Sequence, residues 1–239
     1  MARPFLAITL GDPAGCGPWV AARAALDPRV TRLARPVLVG DAWVLHRFVR
    51  MNALRVSPLM DLSEYTEKSG GVNVLHVAHP NIRSLRLGQP QKLSGESAAL
   101  SVRTAVHLAQ TGRVIAMVTG PVSKESFKAA GLPFPGHTEM LAAISGAGPV
   151  EMIMMAGTLR TLLVTRHLPL KDVPRALSLR GIVDSVVRAN RWAQSDLGLK
   201  HPRWVLCGLN PHAGEAGATL GLRTPIRREA ACARRIARR

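Results

Sequence analysis

PFLAITLGDPAGCGPWVAARAAL, residues 4–26, decides the class of fold. Its first part, PFLAITL, is a short, mostly apolar run, the pattern of a strand buried on both faces. GDPAGCGP (11–18) stops that strand with glycines and prolines, and WVAARAAL (19–26) resumes as a helix. Working outward, the same alternation recurs. RPVLVG (35–40) reads as a second strand, and DAWVLHRFVRMNA (41–53) as a helix with Asp41 at its N-cap. GVNVLHVA (71–78) is a strand, LGQPQKLSG (87–95) a loop, and ESAALSVRTAVHLAQTG (96–112) a helix with a glycine stop. VIAMVTG (114–120) is a β-branched strand, followed by the turn PVSK (121–124) and the short helix ESFKAAG (125–131). EMIMMAG (151–157) and LRTLLVTRHL (159–168) form a strand pair turning near Gly157. Residues 173–196 read as one long helical region, and RWVLCGLNP (203–211) as a last strand. Strands alternating with helices predict a layered α/β fold with a largely parallel sheet. A Gly/Pro-rich boundary near 121–136 divides a first lobe, 1–125, from a second, 126–217, that carries the site motifs. Residues 218–239 form an anomalous Arg-rich tail.

Composition narrows the function classes. At 239 residues, 47% of them hydrophobic, the chain has the length and apolar content for a substantial core. No run approaches the roughly 20 apolar residues of a membrane span, and no cleavage site follows the first apolar run, so the cytoplasm is the expected location. The formal charge of +17 invites a nucleic-acid partner. Its distribution argues against one: seven arginines against Glu229 put +6 of it in residues 223–239, and the rest is scattered. One Tyr and four Phe offer little for base stacking. Cys16, Cys207 and Cys232 form no CxxC pair and are expected as small buried hydrophobes.

Chemistry is concentrated in a few loops. Glycines in GDPAGCGP let the backbone approach an anion at a helix N-terminus, or simply make a tight turn. In VTGPVSK, Lys124 is placed to reach a phosphate or to lie on the surface. GHTEM sets His137 beside Thr138, either to grip a polar substrate or to start a helix capped by Thr138. His167 ends an apolar strand, and Asn210, His212 and Glu215 crowd a Gly-rich loop of the kind that carries function. Three imidazoles at strand ends suggest a metal or substrate site, since open α/β sheets bind ligands at the carboxyl ends of their strands. The other histidines, His46, His76, His79, His107 and His201, read as structural or surface residues.

In order along the chain, ITLGDPAGCGP (8–18), VTGPVSKESFKAAG (118–131), FPGHTEMLA (134–142), TRHLPLKDVP (165–174) and CGLNPHAGEAG (207–217) closely resemble the 4-hydroxythreonine-4-phosphate dehydrogenase family of vitamin B6 biosynthesis. The resemblance covers residues 5 to about 217. It implies a two-lobed fold like that of isocitrate and isopropylmalate dehydrogenases, working as a homodimer with active sites at the subunit interface. It implies NAD- or NADP-dependent oxidation of 4-(phosphooxy)-L-threonine to a β-keto acid, which loses CO2 to give 3-amino-2-oxopropyl phosphate. Carried over residue by residue, it makes His137 and Thr138 substrate-binding. It makes His167 and His212 ligands of a divalent metal, zinc first, with cobalt, manganese or magnesium as alternatives. Two other readings go with it: a sister dehydrogenase acting on 4-phosphothreonate or 4-phosphoerythronate, and a truncated non-catalytic chain.

The chain departs from the family pattern in three places. Cys16 stands where the family usually has an aliphatic residue, and Trp19 where an acid commonly follows Gly-Pro. Beyond NPHAGEAG, the expected segment resembling YHDQG, with a third metal-binding histidine, does not follow. Residues from about 218 are expected to be out-of-frame sequence, and the chain as written to be poorly soluble with little dehydrogenase activity.

Overall fold

In the computed structural model, which describes residues 3–49, 55–67 and 71–209, the first strand is β1 (Phe5–Thr9). It leads through the glycine turn into α1 (Gly17–Leu26) and a single turn, α2 (Pro28–Thr31). There follow β2 (Arg35–Gly40), α3 (Ala42–Val49), β3 (Arg55–Leu59) and β4 (Gly71–His76). The chain continues with α4 (Lys92–Gln110), β5 (Ala116–Thr119), α5 (Lys124–Ala129) and α6 (His137–Ser145). Asp41 acts as expected at the start of α3, its Oδ1 accepting the Trp43 N–H at 2.9 Å.

The five strands form one parallel sheet in the order β3-β4-β2-β1-β5. Its register pairs Ala7 with Val37 and Ile8 with Leu38. Side chains alternate across a strand, so neighbours in the run serve opposite faces. Ile8, Leu38, Val72 and Val74 pack under Ala21, Ala22 and Ala25 of α1 and Leu45 of α3. Ala7, Val37, Val39 and Leu75 face Ala105 and Leu108 of α4. The layering follows from handedness. Crossovers between parallel strands are right-handed, so connections that run in opposite directions across the sheet place their helices on opposite faces.

That reversal occurs at β1. The chain first winds from β1 to β2 on one side, then returns through α4 to set β5 on the other side. The loops after β1 and β5 therefore leave the sheet side by side, in opposite directions, at its carboxyl edge. This is where open α/β sheets form a crevice. α5 and α6 cover the outer side of α4, where Phe127 and Met140 are fully buried against Ala98, Val102 and Val106. Each such burial is worth roughly 2–3 kcal/mol.

The chain divides into two compact units, the first ending at Gly148 and the second starting at Pro149. Residues 126–148 thus belong with the first unit, because Phe127 and Met140 complete its core. In the second unit β6 (Met152–Ala156) and β7 (Leu159–Leu163) form an antiparallel hairpin. Its two-residue loop puts Gly157 at φ 57°, which suits the twist of the strands. The long helical region is in fact broken. A 3-10 turn at Leu170–Asp172 runs into α7 (Val173–Ala176), and α8 (Leu179–Ser195) restarts where Ser178 accepts the Gly181 N–H at 3.1 Å. A serine able to cap competes with helix continuation. α8 buries Ile182, Val186, Ala189 and Ala193, a helical stripe, and Arg188 grips Glu151 with two N–H groups. The last expected strand is absent among the described residues. Residues 203–208 join no strand among the described residues, and they alternate between exposed and half-buried only as far as Cys207, while the Trp204 indole N–H donates to the Asn190 side-chain oxygen at 3.1 Å.

Candidate functional site

The two loops at the crevice are clamped to each other. Gly11 sits at φ 70°, and a Cβ there would lie 2.3 Å from the Pro121 carbonyl oxygen. The Asp12 N–H donates to that oxygen at 2.8 Å, and the Gly120 N–H donates to the Thr9 oxygen at 3.1 Å. The close backbone approach that glycine permits is therefore used on the neighbouring loop, and the tight-turn reading holds for Gly11.

Asp12 then ties the loop to two helices. Its carboxylate is buried, and it accepts the Ala14 N–H at 2.8 Å and the Ser126 hydroxyl at 2.8 Å. It also accepts the hydroxyl of Ser94, in the first turn of α4. Gly95 lets α5 approach backbone to backbone, since a Cβ there would meet the Ser126 carbonyl oxygen at 2.2 Å. Sequence reasoning missed Asp12. Its only local signal is an acid beside proline in a turn after a strand, whereas Ser94 and Ser126 are 82 and 114 residues away. Cys16 and Cys207 are both exposed, which corrects the expectation of buried thiols. Cys16 is the N-cap of α1, where a residue bends out of the packed loop.

α6 begins at His137, not after Thr138. Its N-cap is Gly136, in extended conformation and without a side-chain hydrogen bond, so Thr138 lies within the first turn and does not cap the helix. The His137 ring meets Phe127 edge-to-face, with centroids 6.2 Å apart. Burial against that wall pushes its pKa below the ordinary histidine value. Its Nε2 is shut off from solvent and has no hydrogen-bond partner. Leaving such a group unpaired costs about 1–3 kcal/mol.

His167 lies in the second unit, in the bend after β7. At φ 53° it is the one non-glycine residue with positive φ among those described, and it is exposed. Such a conformation is uncommon and clusters at functional positions. Arg166 holds the bend from one side by donating to the Val150 oxygen at 2.9 Å, and Pro169 stiffens the other. Asn210, His212 and Glu215 lie outside the described residues. The structure thus brings His137 and Thr138 together in one helical turn and places His167 in a separate unit. Among the described residues, no group of three or more His, Cys, Asp or Glu side chains is arranged to hold a metal ion. His76 and His79 are engaged within the fold. His76 accepts the Ala42 N–H at 3.1 Å, and His79 accepts the Asn81 N–H at 3.3 Å and faces the Glu96 carboxylate at 3.4 Å.

Comparison with known proteins agrees with this architecture. The family described as pyridoxal phosphate biosynthetic protein PdxA matches residues 32–221. A protein of Symbiobacterium thermophilum with the provisional name D-threonate 4-phosphate dehydrogenase is 35% identical over 90% of this chain and 64% of its own length. A 4-hydroxythreonine-4-phosphate dehydrogenase of Desulfosudis oleivorans is 35% identical, again over 90% and 64%. The chain therefore spans about 64% of the length of these curated relatives. The crystal structure of the 4-hydroxythreonine-4-phosphate dehydrogenase of Klebsiella pneumoniae superimposes with a TM-score of 0.86 at 30% identity. That match covers 98% of this chain and 71% of the other.

Proposed function

Because the chain belongs to the family of the pyridoxal phosphate biosynthetic protein PdxA, we propose that it serves an NAD- or NADP-dependent, metal-assisted dehydrogenase. The substrate in this reading is 4-(phosphooxy)-L-threonine. Its secondary alcohol is oxidised, and the β-keto acid formed loses CO2 to give 3-amino-2-oxopropyl phosphate in pyridoxal phosphate biosynthesis. The working form is a cytoplasmic homodimer. Among the described residues, no helix is long and apolar enough to cross a membrane.

The observation that carries the reading is the unpartnered Nε2 of His137. A buried imidazole nitrogen without a partner is completed by a polar ligand atom, and a substrate hydroxyl is such an atom. Because burial holds the ring neutral, His137 offers one donor and one acceptor nitrogen, without a net charge to neutralise. Thr138, next in the turn, adds a hydroxyl that can donate or accept. Together they orient the alcohol carbon for loss of its hydride.

His167 suits a metal, since it presents an exposed imidazole on a stiffened bend. His212 is the second ligand in this proposal. When bound, a divalent ion, zinc first, supplies Lewis-acid polarisation of the hydroxyl, while the nicotinamide supplies the hydride acceptor.

A second reading keeps the same site and changes the substrate to D-threonate 4-phosphate, favoured by the equal identity of the relative bearing that name. Both substrates carry a phosphate ester beside a secondary alcohol. The test measures calorimetric binding of each, and NAD(P)H formation at saturating divalent ion, for the wild-type chain and His137→Ala. The proposal expects metal-dependent binding of 4-(phosphooxy)-L-threonine, about tenfold weaker in the variant, with NAD(P)H formation at the low level expected of this chain. Preference for D-threonate 4-phosphate selects the second reading. If neither compound binds or is turned over, both fall.

A further inference from the structure

His137 and Asp12 stand far apart in the chain, yet a short line of contacts joins them. Asp12, buried in the loop after β1, accepts the Ser126 hydroxyl at 2.8 Å. Ser126 is itself buried, and its backbone is pressed on α4, where a Cβ on Gly95 would meet its carbonyl carbon at 2.7 Å. α5 therefore has little freedom to slide or turn against α4. Phe127 follows Ser126 in α5 and is equally buried, in one cluster with Ala98, Ala99 and Val102 of α4. Its ring also meets the His137 imidazole edge-to-face, the two planes 87° apart.

We infer that Ser126 and Phe127 form a positioning element for His137, in which Asp12 holds Ser126 and thereby fixes the Phe127 ring against the imidazole. Neither residue needs to touch a ligand, because both act through His137. The pinned residue and the wall are neighbours in one short helix, so any shift of α5 at Ser126 carries the wall with it. That wall does two things. It fixes the plane of the imidazole, so the unpartnered Nε2 keeps one direction. It also keeps water from the ring, and burial is the cause of the lowered pKa of His137. The charged groups at this turn are Lys124 of α5 and Glu139 of α6. The Lys124 ε-carbon and a Glu139 carboxylate oxygen lie 3.8 and 3.4 Å from the point where a Cβ on Gly136 would sit. Neither contributes to the shift. α4 brings only alanine and valine side chains to the cluster. The inference rests on the proposed function only in taking 4-(phosphooxy)-L-threonine as the ligand that His137 meets.

The experiment follows the imidazole resonances of the 15N-labelled 239-residue chain by NMR as pH is varied, with His137 identified by its loss in His137→Ala. Ser126→Ala removes the hydrogen bond to Asp12 without touching His137, and Phe127→Leu removes the flat face. Leu45→Val disturbs a fully buried position on the other face of the sheet and serves as the control for lost stability alone. The expected result is a His137 midpoint moved up towards the ordinary histidine value in Phe127→Leu, and by less in Ser126→Ala. Leu45→Val should titrate as the wild type does. Calorimetry at pH 8 should show 4-(phosphooxy)-L-threonine bound about threefold more weakly by Phe127→Leu, the loss expected for one aromatic pair. A wild-type midpoint in either Ser126→Ala or Phe127→Leu, or an equal rise in Leu45→Val, overturns the inference. If the midpoints move as expected while the wild-type chain binds no phosphorylated substrate, the proposed function fails and the hold of Phe127 on His137 stands.

Discussion

The loop after β1 and the bend after β7 both look functional in sequence, yet they are built on opposite principles. In the first, Asp12 accepts three hydrogen bonds, and Gly11 sits in a conformation that suits it while its backbone presses on Pro121. In the second, His167 is exposed on a left-handed backbone that disfavours a side chain. A loop whose polar groups are satisfied by the protein itself is scaffold. A loop that keeps a strained, available imidazole has left something for a ligand to complete.

The largest effect that sharpens this contrast is expected from Gly11→Ala. The new methyl would sit 2.3 Å from a backbone oxygen at φ 70°, so strain and overpacking add. Chemical denaturation should show a loss of about 4 kcal/mol, and a loss under about 1 kcal/mol would mean the loops are not clamped. Asp12→Ala comes next, with about 3 kcal/mol, because it removes the acceptor for Ala14, Ser94 and Ser126 together. An unchanged midpoint there would show that the two serines find other partners at no cost. His167→Gly is the smallest and has the opposite sign. Relief of the left-handed strain, less the added chain entropy of glycine, should raise stability by about 0.5 kcal/mol. The same variant should weaken zinc binding in a titration. A destabilised variant with undiminished zinc affinity would break the comparison, because His167 would then be scaffold too.

The parallel sheet was readable because β1, β2 and β4 are buried on both faces and so appear as continuous apolar runs. β3 was not, since RVSPL is half-exposed and carries Pro58, a residue confined to edge strands such as this one. The apolar pattern of 173–196 continues across Ser178, so the break in the helix depends on one side-chain hydrogen bond that periodicity does not register. RWVLCGLNP has the composition of a strand but finds no partner among the described residues, and a strand is defined by its partner as much as by its residues.

Of the candidate site, only what is local in the chain was legible. His137 and Thr138 stand next to each other in the chain, so their meeting in one turn needed no tertiary information. That His137 lacks a partner for Nε2 depends on Phe127 and the surrounding wall, which no motif contains.

The amino-acid sequence alone determined the alternation of strands and helices, the positions of the loops, and the family to which the chain belongs. These follow from local periodicity and from residues close together in the chain. Only the tertiary structure decided which loops are scaffold and which are open. That depends on where each hydrogen bond finds its other half, and for Asp12 the other halves lie 82 and 114 residues along the chain.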